Sequence, residues 1–460
     1  MSDDTEIEVA REDDIYELHN RTVDAIVDAA EAGDAKLLTE LMEPLHAADI
    51  ADLLEQVSSD ERLEILRHYE KEIDGEILSE IDESIRDEVI AALSPEVLSE
   101  AVRELDSDDV VDIIEDLEEH QQEAILASLD TVDRAAVEKA LAYPEYSAGR
   151  LMQREVVAGP AHWTVGEAID FLRSTEDLPD EFYHMVLVDP AMHPVGYVTL
   201  GRILGARRDV ALVDLTEESF RTFNVLQEES DVAYAFNQYH QISAPVVDDD
   251  GRLAGVITID DAMIVLDEEH EEDIMRLAGV GDGSLSDRVL ETTKQRLPWL
   301  AVNLVTAILA SLVIAQFENV IAGFVALAVL MPIVASMGGN AGTQSLTVAV
   351  RAIATKDLTG SNVWRVVRRE VLVGLINGLV FAVVMGVIGM VWFGSPLLGA
   401  VIATAMVINL VVAGLAGIMV PVVLDRMDVD PALASGAFVT TVTDVVGFFA
   451  FLGLAAVVLL

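Results

Sequence analysis

Residues 431–460 read PALASGAFVTTVTDVVGFFAFLGLAAVVLL, an apolar stretch of 30 residues that contains one ionisable side chain, Asp444. About 20 such residues span the hydrocarbon core of a bilayer, so the stretch predicts a transmembrane helix. A carboxylate there costs about 2.5–3.5 kcal/mol on insertion scales, so Asp444 should face a wet cavity or a partner. Two interpretations stand: a buried Asp bonded to the hydroxyls of Thr440, Thr441 and Thr443, or a cation pathway built from hard oxygen ligands.

Four further apolar stretches precede this one, at approximately Pro298–Phe317, Val320–Ile353, Val371–Phe393 and Pro396–Leu424. Each is long enough to cross a membrane, so the sequence predicts five spans. The second stretch is much longer than needed, which predicts a helix broken near Pro332 or at Gly338–Gly339. Irregular backbone at membrane depth is tolerated only beside protein or water, so such a break points to a pore or its mouth.

The positive charges fix the expected orientation of the spans. Three groups of bases stand before the first span, after the second and after the fourth: Arg288, Lys294 and Arg296; Arg351, Lys356, Arg365, Arg368 and Arg369; and Arg426. The alternate loops, at Glu318–Asn319 and Gly394–Ser395, carry no base. The positive-inside rule therefore predicts a cytoplasmic N-terminus and an extracellular C-terminus in the plasma membrane.

The net charge of −53 lies almost wholly in one half of the chain. Residues 298–460 contain seven acids and six bases, a net −1, which leaves −52 on residues 1–297. So acidic a half repels phosphates, which argues against a nucleic-acid partner. A salt-rich cytoplasm accounts for most of the acidity, while some of the carboxylates can also bind cations. The absence of Cys excludes disulfides and thiolate metal sites, and no signal peptide is expected at the acidic N-terminus.

The region up to about Leu141 has apolar residues at helical spacings and contains an internal repeat. Asp49–Glu55 matches Asp109–Glu115, and Ile65-Leu66 matches Ile125-Leu126 in the same register. Repeated short helix pairs stack into a curved array. Such an array serves as a movable regulatory domain or as an interaction scaffold, and this region alone does not distinguish them.

A second duplication follows between about Ser147 and Asp267. Val188-Asp189 before the run at 196–200 repeats as Val247-Asp248 before the run at 255–259, and an amphipathic helix precedes each copy, at Val165–Leu172 and Val232–Tyr239. This arrangement is typical of a pair of CBS domains, a small α/β module that often binds adenosine nucleotides.

An acidic segment comes directly after the second copy, with Asp260-Asp261 and then residues 267–273, DEEHEED. On a helix, Glu269, Glu272 and Asp273 share one face and repel one another unless cations lie between them. A halophilic surface is the alternative interpretation. The helix is expected to run through Arg288–Arg296 into the first span and to link a sensor to the membrane.

In this order of parts, and in three motifs, the chain resembles the MgtE family of magnesium channels, here in an acidic form. The motifs are Pro332 with GGNAGTQ at 338–344, DPALAS at 430–435 and TDVVG at 443–447. The resemblance covers nearly the whole chain and implies an acidic tail (1–20), an all-α superhelical N domain (21–146), two CBS domains (147–207 and 208–267), a connecting plug helix (268–296) and a five-helix transmembrane pore domain (297–460).

The resemblance implies a homodimer whose pore follows the two-fold axis. Asp444 matches the pore aspartate of the family, and the segment around Gly339 and Asn340 would supply backbone oxygens and close helix packing. Mg²⁺ sensor positions match Asp261, Glu269, Glu272, Asp273 and Asp430. Ile264 stands where some members have a further acid. ATP binding at the CBS pair is implied as well, although no residue identifies its site.

The expected function is a Mg²⁺-selective channel for passive Mg²⁺ uptake and homeostasis, closed by Mg²⁺ bound to the cytoplasmic domains. One alternative is a broader divalent-cation transporter that admits Co²⁺, Mn²⁺ or Ca²⁺; the lack of Cys and of intramembrane His argues against a soft-metal specialist. Another is a membrane-anchored CBS sensor without transport. An enzyme is not expected, because the chain has no phosphate-binding loop of the G-x-x-x-x-G-K-S/T type and no evident nucleophile–base pair.

Overall fold

The computed structural model describes residues 18–459 except 104, 116, 118, 176, 177, 180, 181, 218, 219, 281–288 and 428. Most of the expected acidic tail therefore lies outside the described residues. The chain divides into two compact units, residues 1–267 and residues 268–460.

The first unit begins with a helical array whose repeated helices bury equivalent positions. Ile50, Leu53 and Leu54 of one copy and their counterparts Val110, Ile113 and Ile114 in the other are all at most 3% exposed, which confirms the repeat as a structural one. Capping residues set the helix starts: Ser58 and Glu61, for example, form a capping box. The helices are α1 Asn20–Glu31, α2 Ala35–Met42, α3 Ala47–Gln56, α4 Ser59–Tyr69, α5 Gly75–Ser79, α6 Glu83–Ala92, α7 Pro95–Arg103, α8 Ser107–Glu115, α9 Glu119–Ser128, α10 Thr131–Ala140 and α11 Ala148–Leu151, with a 3-10 helix at Glu70–Glu72.

Two matching α/β modules complete this unit and confirm the CBS pair. In each, a parallel strand pair is followed by an antiparallel one, and a register shift falls at the same place, Leu187/Val188 and Val246/Val247. The duplicated Asp189 and Asp248 each accept two backbone N–H bonds in the strand-connecting turn. The elements are β1 Ala158–Pro160, α12 Val165–Ser174, β2 His184–Val188, β3 Pro194–Thr199, α13 Leu200–Gly205, a 3-10 helix at Leu212–Leu215, β4 Phe223–Asn224, α14 Glu229–Tyr239, β5 Ser243–Val247, β6 Leu253–Thr258 and α15 Ile259–Ala278.

The expected single connecting helix over 268–296 is wrong. Helix α15 begins inside the second CBS copy and ends at Ala278, where Gly279 has a φ of 69°. That left-handed conformation favours glycine and stops the helix. The next described helix starts at Val289, and the expected link through Arg288 includes residues outside the described set.

The second unit contains five helices that are long and apolar enough to cross a membrane, as the sequence predicts. The spans are Thr292–Ala315, Ala326–Ala354, Val363–Phe393, Pro396–Asp425 and Gly436–Leu459. The helices are α16 Val289–Ala315, α17 Glu318–Gly323, α18 Ala326–Ala354, α19 Val363–Phe393, α20 Pro396–Asp425, a 3-10 helix at Pro431–Ala434 and α21 Ser435–Leu459.

The predicted break in the second span lies elsewhere. Helix α18 is continuous through Pro332 and Gly338–Gly339, and the interruption comes earlier, at residues 324–325 between α17 and α18. Membrane helices tolerate proline because neighbouring helices and local adjustments satisfy the freed backbone groups. The carbonyls of 338–342 therefore belong to a helix rather than to an irregular segment.

Helices α19 and α20 pack with their backbones in contact along a row of small residues. A Cβ on Gly374 would lie 2.5 Å from the carbonyl oxygen of Leu410, and one on Gly378 would lie 3.0 Å from the Cα of Val407. Nearer the other end, a Cβ on Gly399 would lie 2.6 Å from the carbonyl oxygen of Gly386. Small residues at this spacing let membrane helices approach closely, and dispersion then holds them together.

Candidate functional site: an intramembrane carboxylate and two acidic clusters

Asp444 lies in the middle of α21 with its side chain half-buried. Within the described residues, its carboxylate accepts no hydrogen bond and forms no ion pair. The neighbouring hydroxyls are engaged elsewhere: Thr440 and Thr441 donate to the carbonyl of Ala437, and Thr443 donates to the carbonyl of Thr440. The interpretation of Asp444 as an Asp held by threonine hydroxyls is therefore wrong, and its oxygens are free for water or a cation.

Helix α18 presents a polar stripe on its exposed face. Ser336, Asn340, Thr343 and Thr347 recur at spacings of four, three and four residues, and all are exposed. Their groups bond within the helix: Asn340 Nδ2 donates to Ser336 Oγ at 3.3 Å, and the Thr343 and Thr347 hydroxyls donate to carbonyls one turn earlier. Polar groups on an exposed face of a membrane span are expensive beside lipid, so this stripe is suited to a water-filled path. Asn340 was expected at this site, whereas Ser336, Thr343 and Thr347 were missed, although their helical spacing from Asn340 indicates a shared face.

The glycines of α18 bring its backbone against α21. A Cβ on Gly339 would lie 3.2 Å from Thr440 Cγ2, and one on Gly342 would lie 2.6 Å from Val439 Cγ1. The close packing expected of this motif is therefore present, and it places the helix that carries Asp444 directly against the helix that carries the polar stripe.

The expected sensor residues of the second unit gather around an arginine. Arg276 lies between Glu272, with which it forms an ion pair one turn away on α15, and Asp430, whose Oδ2 is 2.5 Å from Arg276 Nη1. The other oxygen of Asp430 caps the 3-10 helix at Pro431–Ala434 by accepting the N–H of Ala432 at 2.7 Å. The Arg276 guanidinium thus pairs with Glu272 and Asp430, two of the carboxylates that were expected to bind Mg²⁺.

Asp273 belongs to the same group, which we call the α15 cluster (Glu269, Glu272, Asp273, Arg276 and Asp430). The pKa of Asp273 is raised to about 6, first by burial and then by the nearby charges of Asp430 and Glu269. The carboxylates here are therefore crowded despite Arg276, and added positive charge would be favourable.

Asp261 does not join that cluster. It meets the start of α8 in a second group, the α8 cluster (Asp106, Asp108, Asp109, Asp260 and Asp261). The Asp261 side chain accepts the Thr258 hydroxyl at 2.6 Å, and Gln153 donates to Asp106 at 3.0 Å. The three acids at 106–109 were missed, because contact between α8 and the second CBS copy is not local in sequence.

Burial and mutual repulsion disturb the acids of the α8 cluster. The pKa of Asp109 is raised to about 7, first by burial and then by the charges of Asp261 and Asp106. Burial likewise raises the pKa of Asp108 and of Asp261. Among the described residues, however, no three acids or histidines are close enough together to enclose a metal ion. Mg²⁺ would fit here with most of its water retained, which suits its reluctance to dehydrate.

The two CBS copies enclose a small cleft lined by Phe182, Tyr183, His184, Gln153, Ser243 and Thr258. His184 packs edge-on to Tyr197, and its buried Nδ1 has no hydrogen-bond partner in the described structure. Burial lowers the pKa of His184 to about 4, so the ring is neutral near pH 7. The cleft has a volume of about 20 Å³, less than that of a heterocyclic base, so a nucleotide would have to displace part of this lining.

Comparison with known proteins finds a family match for the helical array, the two α/β modules and most of the membrane unit. The MgtE model, described as a divalent cation transporter, matches residues 331–454; the MgtE intracellular N domain matches 45–146, and the CBS domain matches 148–209 and 221–268. The magnesium transporter MgtE of Enterococcus faecalis is 34% identical over 70% of this chain and 71% of its own. That of Thermus thermophilus is 34% identical over 72% of this chain and 74% of its own.

Among solved structures, the cytosolic domain of the Mg²⁺ channel MgtE in complex with ATP is 28% identical, with a TM-score of 0.48, and the match covers 53% of this chain and 99% of that one. A helical domain, a CBS pair and five membrane-spanning helices define a multi-pass membrane protein with an attached CBS module. The family models and the relatives make the assignment specific. The chain belongs to the MgtE family.

Proposed function

We propose that this protein is a Mg²⁺ channel that carries Mg²⁺ passively into the cell through a path beside Asp444. The observation that carries the proposal is a carboxylate without a partner among the described residues, on a membrane helix packed against the polar stripe of α18. A hydrated Mg²⁺ held through its waters by such carboxylates avoids full dehydration. Relatives named as magnesium transporters support the choice of ion.

The test is Mg²⁺ uptake into liposomes that contain the purified protein, with internal Mg²⁺ held low. Asp444→Asn keeps the shape of the side chain and removes its charge, so uptake should fall by at least about tenfold if the carboxylate holds the ion. Asp425→Asn is the matched control, since Asp425 is an exposed acid at the end of α20. Equal uptake by Asp444→Asn and the wild type would contradict the proposal, and preferential uptake of Co²⁺ or Mn²⁺ would favour a broader transporter.

The gating part of the proposal assigns Mg²⁺ sensing to the two acidic clusters. Cations bound at the α15 cluster and at the α8 cluster would relieve the repulsion that raises their pKa values and so favour a closed state. Uptake should therefore fall as internal Mg²⁺ is raised. Asp273→Asn and Asp109→Asn should each shift that dependence to higher Mg²⁺, whereas flux that ignores internal Mg²⁺ in the wild type would remove the sensor from the proposal.

The proposed topology places the N-terminus in the cytoplasm and the C-terminus outside the plasma membrane, in a homodimer. Trp364 and Trp392, 72% and 63% exposed, mark opposite ends of α19 as aromatic residues do at the two membrane interfaces. Because the chain has no Cys, single introduced thiols are unique reporters. In intact cells an impermeant maleimide should label Ser395→Cys but not Ser361→Cys, and the reverse pattern would invert the topology.

We also propose ATP as a ligand of the cleft between the CBS copies. The support is the unpaired Nδ1 of His184 beside Phe182 and Tyr183, together with the ATP complex of a similar cytosolic domain. Calorimetry of the full chain with ATP should show binding that His184→Ala weakens by about tenfold, the size of a lost buried hydrogen bond. Unchanged affinity in that variant would place ATP elsewhere.

A further inference from the structure

Asn409, the one asparagine in the fourth apolar stretch, is almost completely buried in the membrane domain at 1% exposure. It lies on α20, and its Nδ2 donates to the carbonyl oxygen of Val334 on α18 at 2.8 Å. That carbonyl stands two residues after Pro332, whose missing N–H leaves the carbonyl of Ala328, and not that of Val334, without its helical donor. The amide thus ties α20 to α18 at a carbonyl within the regular part of that helix.

The other end of the same amide is unsatisfied. Asn409 Oδ1 is buried and has no hydrogen-bond partner within the described structure. Burying such an acceptor is unfavourable, and a leucine of similar size would avoid it. Natural proteins leave a buried polar group unsatisfied mainly at functional sites, so the amide at position 409 needs a functional explanation.

The amide also separates α18 from α21. A Cβ on Gly338 would lie 2.2 Å from Asn409 Nδ2, and a Cβ on Gly447 would lie 2.8 Å from the same atom. Both positions are therefore glycine where the Asn409 side chain inserts between them. Gly447 follows Asp444 by three residues on α21, which is about one helical turn.

We propose that Asn409 is a positioning residue for the ion pathway, which holds Asp444 at a fixed depth against the polar stripe of α18. The inference rests on the proposed role of Asp444. Asn409 contacts both helices, its hydrogen bond fixes the height of α18, and its fit against Gly447 fixes the height of α21. It acts through the placement of the carboxylate and does not touch the ion.

The first experiment separates the apparent affinity for the ion from maximal flux. Uptake into liposomes is measured against external Mg²⁺, with internal Mg²⁺ held low, for the wild type, Asn409→Ala and Asn409→Leu. If Asn409 positions Asp444, both variants should raise the half-saturating Mg²⁺ concentration by about threefold to tenfold, the usual range of coupling through packed networks. Asn377→Ala is the matched control, since Asn377 is an exposed asparagine on the neighbouring helix α19, and it should leave that concentration unchanged.

The second experiment asks whether the amide or merely its volume is needed. Gly338→Ala alone forces a clash with Asn409, so it should lower the amount of folded protein. The double variant Gly338→Ala/Asn409→Ala removes the clash and restores part of the lost volume without the hydrogen bond. We expect it to recover the melting temperature of the wild type while it keeps the raised half-saturating concentration of Asn409→Ala.

Three results would overturn the inference. Asn409 would be a packing residue if its variants lowered only the amount of folded protein, or if the double variant regained the wild-type half-saturating concentration. It would be irrelevant if Asn409→Ala matched Asn377→Ala. Should Asn409→Ala fail to fold, Asn409→Ser decides by the same titration.

Asp444→Ala in the same preparations separates the two proposals. If it transports as well as the wild type does, the proposed ion site is wrong. If it loses uptake while the Asn409 variants resemble the control, only the positioning role fails.

Discussion

Arg276 provides the sharpest test of how the α15 cluster works. The perturbation is Arg276→Gln, which keeps a polar, unbranched side chain and removes the positive charge. In the native chain the guanidinium joins Glu272 to Asp430, and the three side chains are 35%, 33% and 27% exposed. Its removal leaves Glu272 and Asp430 without their tethered cation.

The size of the effect follows from this partial exposure. Each half-exposed ion pair contributes about 0.5–1 kcal/mol, so two pairs contribute about 1–2 kcal/mol to the arrangement in which α15 lies against Asp430. If that arrangement is the closed one, its loss shifts the equilibrium toward the open state by about fivefold to thirtyfold. The same substitution frees carboxylate oxygens for Mg²⁺, so high internal Mg²⁺ should still close the channel.

The assay is Mg²⁺ uptake into liposomes at a series of internal Mg²⁺ concentrations. Arg276→Gln should transport faster than the wild type at low internal Mg²⁺ and should depend more steeply on added Mg²⁺. Arg426→Gln serves as the control, since Arg426 is an exposed arginine at the end of α20 without an ion pair among the described residues. Uptake at low Mg²⁺ that is equal to or below that of the wild type would refute the view of Arg276 as a built-in cation that favours closure.

Three further outcomes are expected. Gly374→Ala should destabilise the full chain in detergent by about 1–3 kcal/mol, because its Cβ would lie 2.5 Å from the carbonyl oxygen of Leu410. Gly360→Ala is the control: open space surrounds that position, so the melting temperature should not change. Asp109→Asn should increase the free energy of unfolding by about 1–2 kcal/mol in Mg²⁺-free buffer near neutral pH, since it removes a buried charge that other acids repel. The melting temperature should rise with it, and a lower one would contradict this prediction. Burial lowers the pKa of His184 to about 4, from 6.5 in the unfolded chain, so the folded state binds fewer protons between these pH values. This group's contribution to stability is therefore lost as pH falls from 6.5 to 4. The loss should be about 1 kcal/mol after a discount for partial exposure, and thermal melts of His184→Gln should lack it.

The parts of the fold that could be predicted from the sequence are those encoded locally. The five spans follow from continuous apolar runs, and the CBS pair follows from a duplication that keeps Asp189 and Asp248 at equivalent turns. The helical repeat is equally direct, because Ile50 and Val110 occupy the same register and both face the core.

The parts that were missed depend on contacts between distant residues. The helix through Pro332 persists because neighbouring helices support it, and a rule about single residues does not contain that information. The α8 cluster joins residues about 150 positions apart, and Asn409 meets Val334 across 75 positions. Arg276 is different: its spacing of four from Glu272 was visible in the sequence and indicates an ion pair.

The contact between α19 and α20 has a mechanical consequence. The backbones of α19 and α20 touch along glycines, and a turn at Gly394–Ser395 joins the two helices. No layer of side chains lies between them that would let one helix slide along the other. This hairpin therefore forms a stator, a fixed frame within the membrane unit. A Cβ on Gly417 of α20 would lie 2.7 Å from the carbonyl oxygen of Gly342, so α18 is held against the same frame, and Asn409 projects from that frame between α18 and α21.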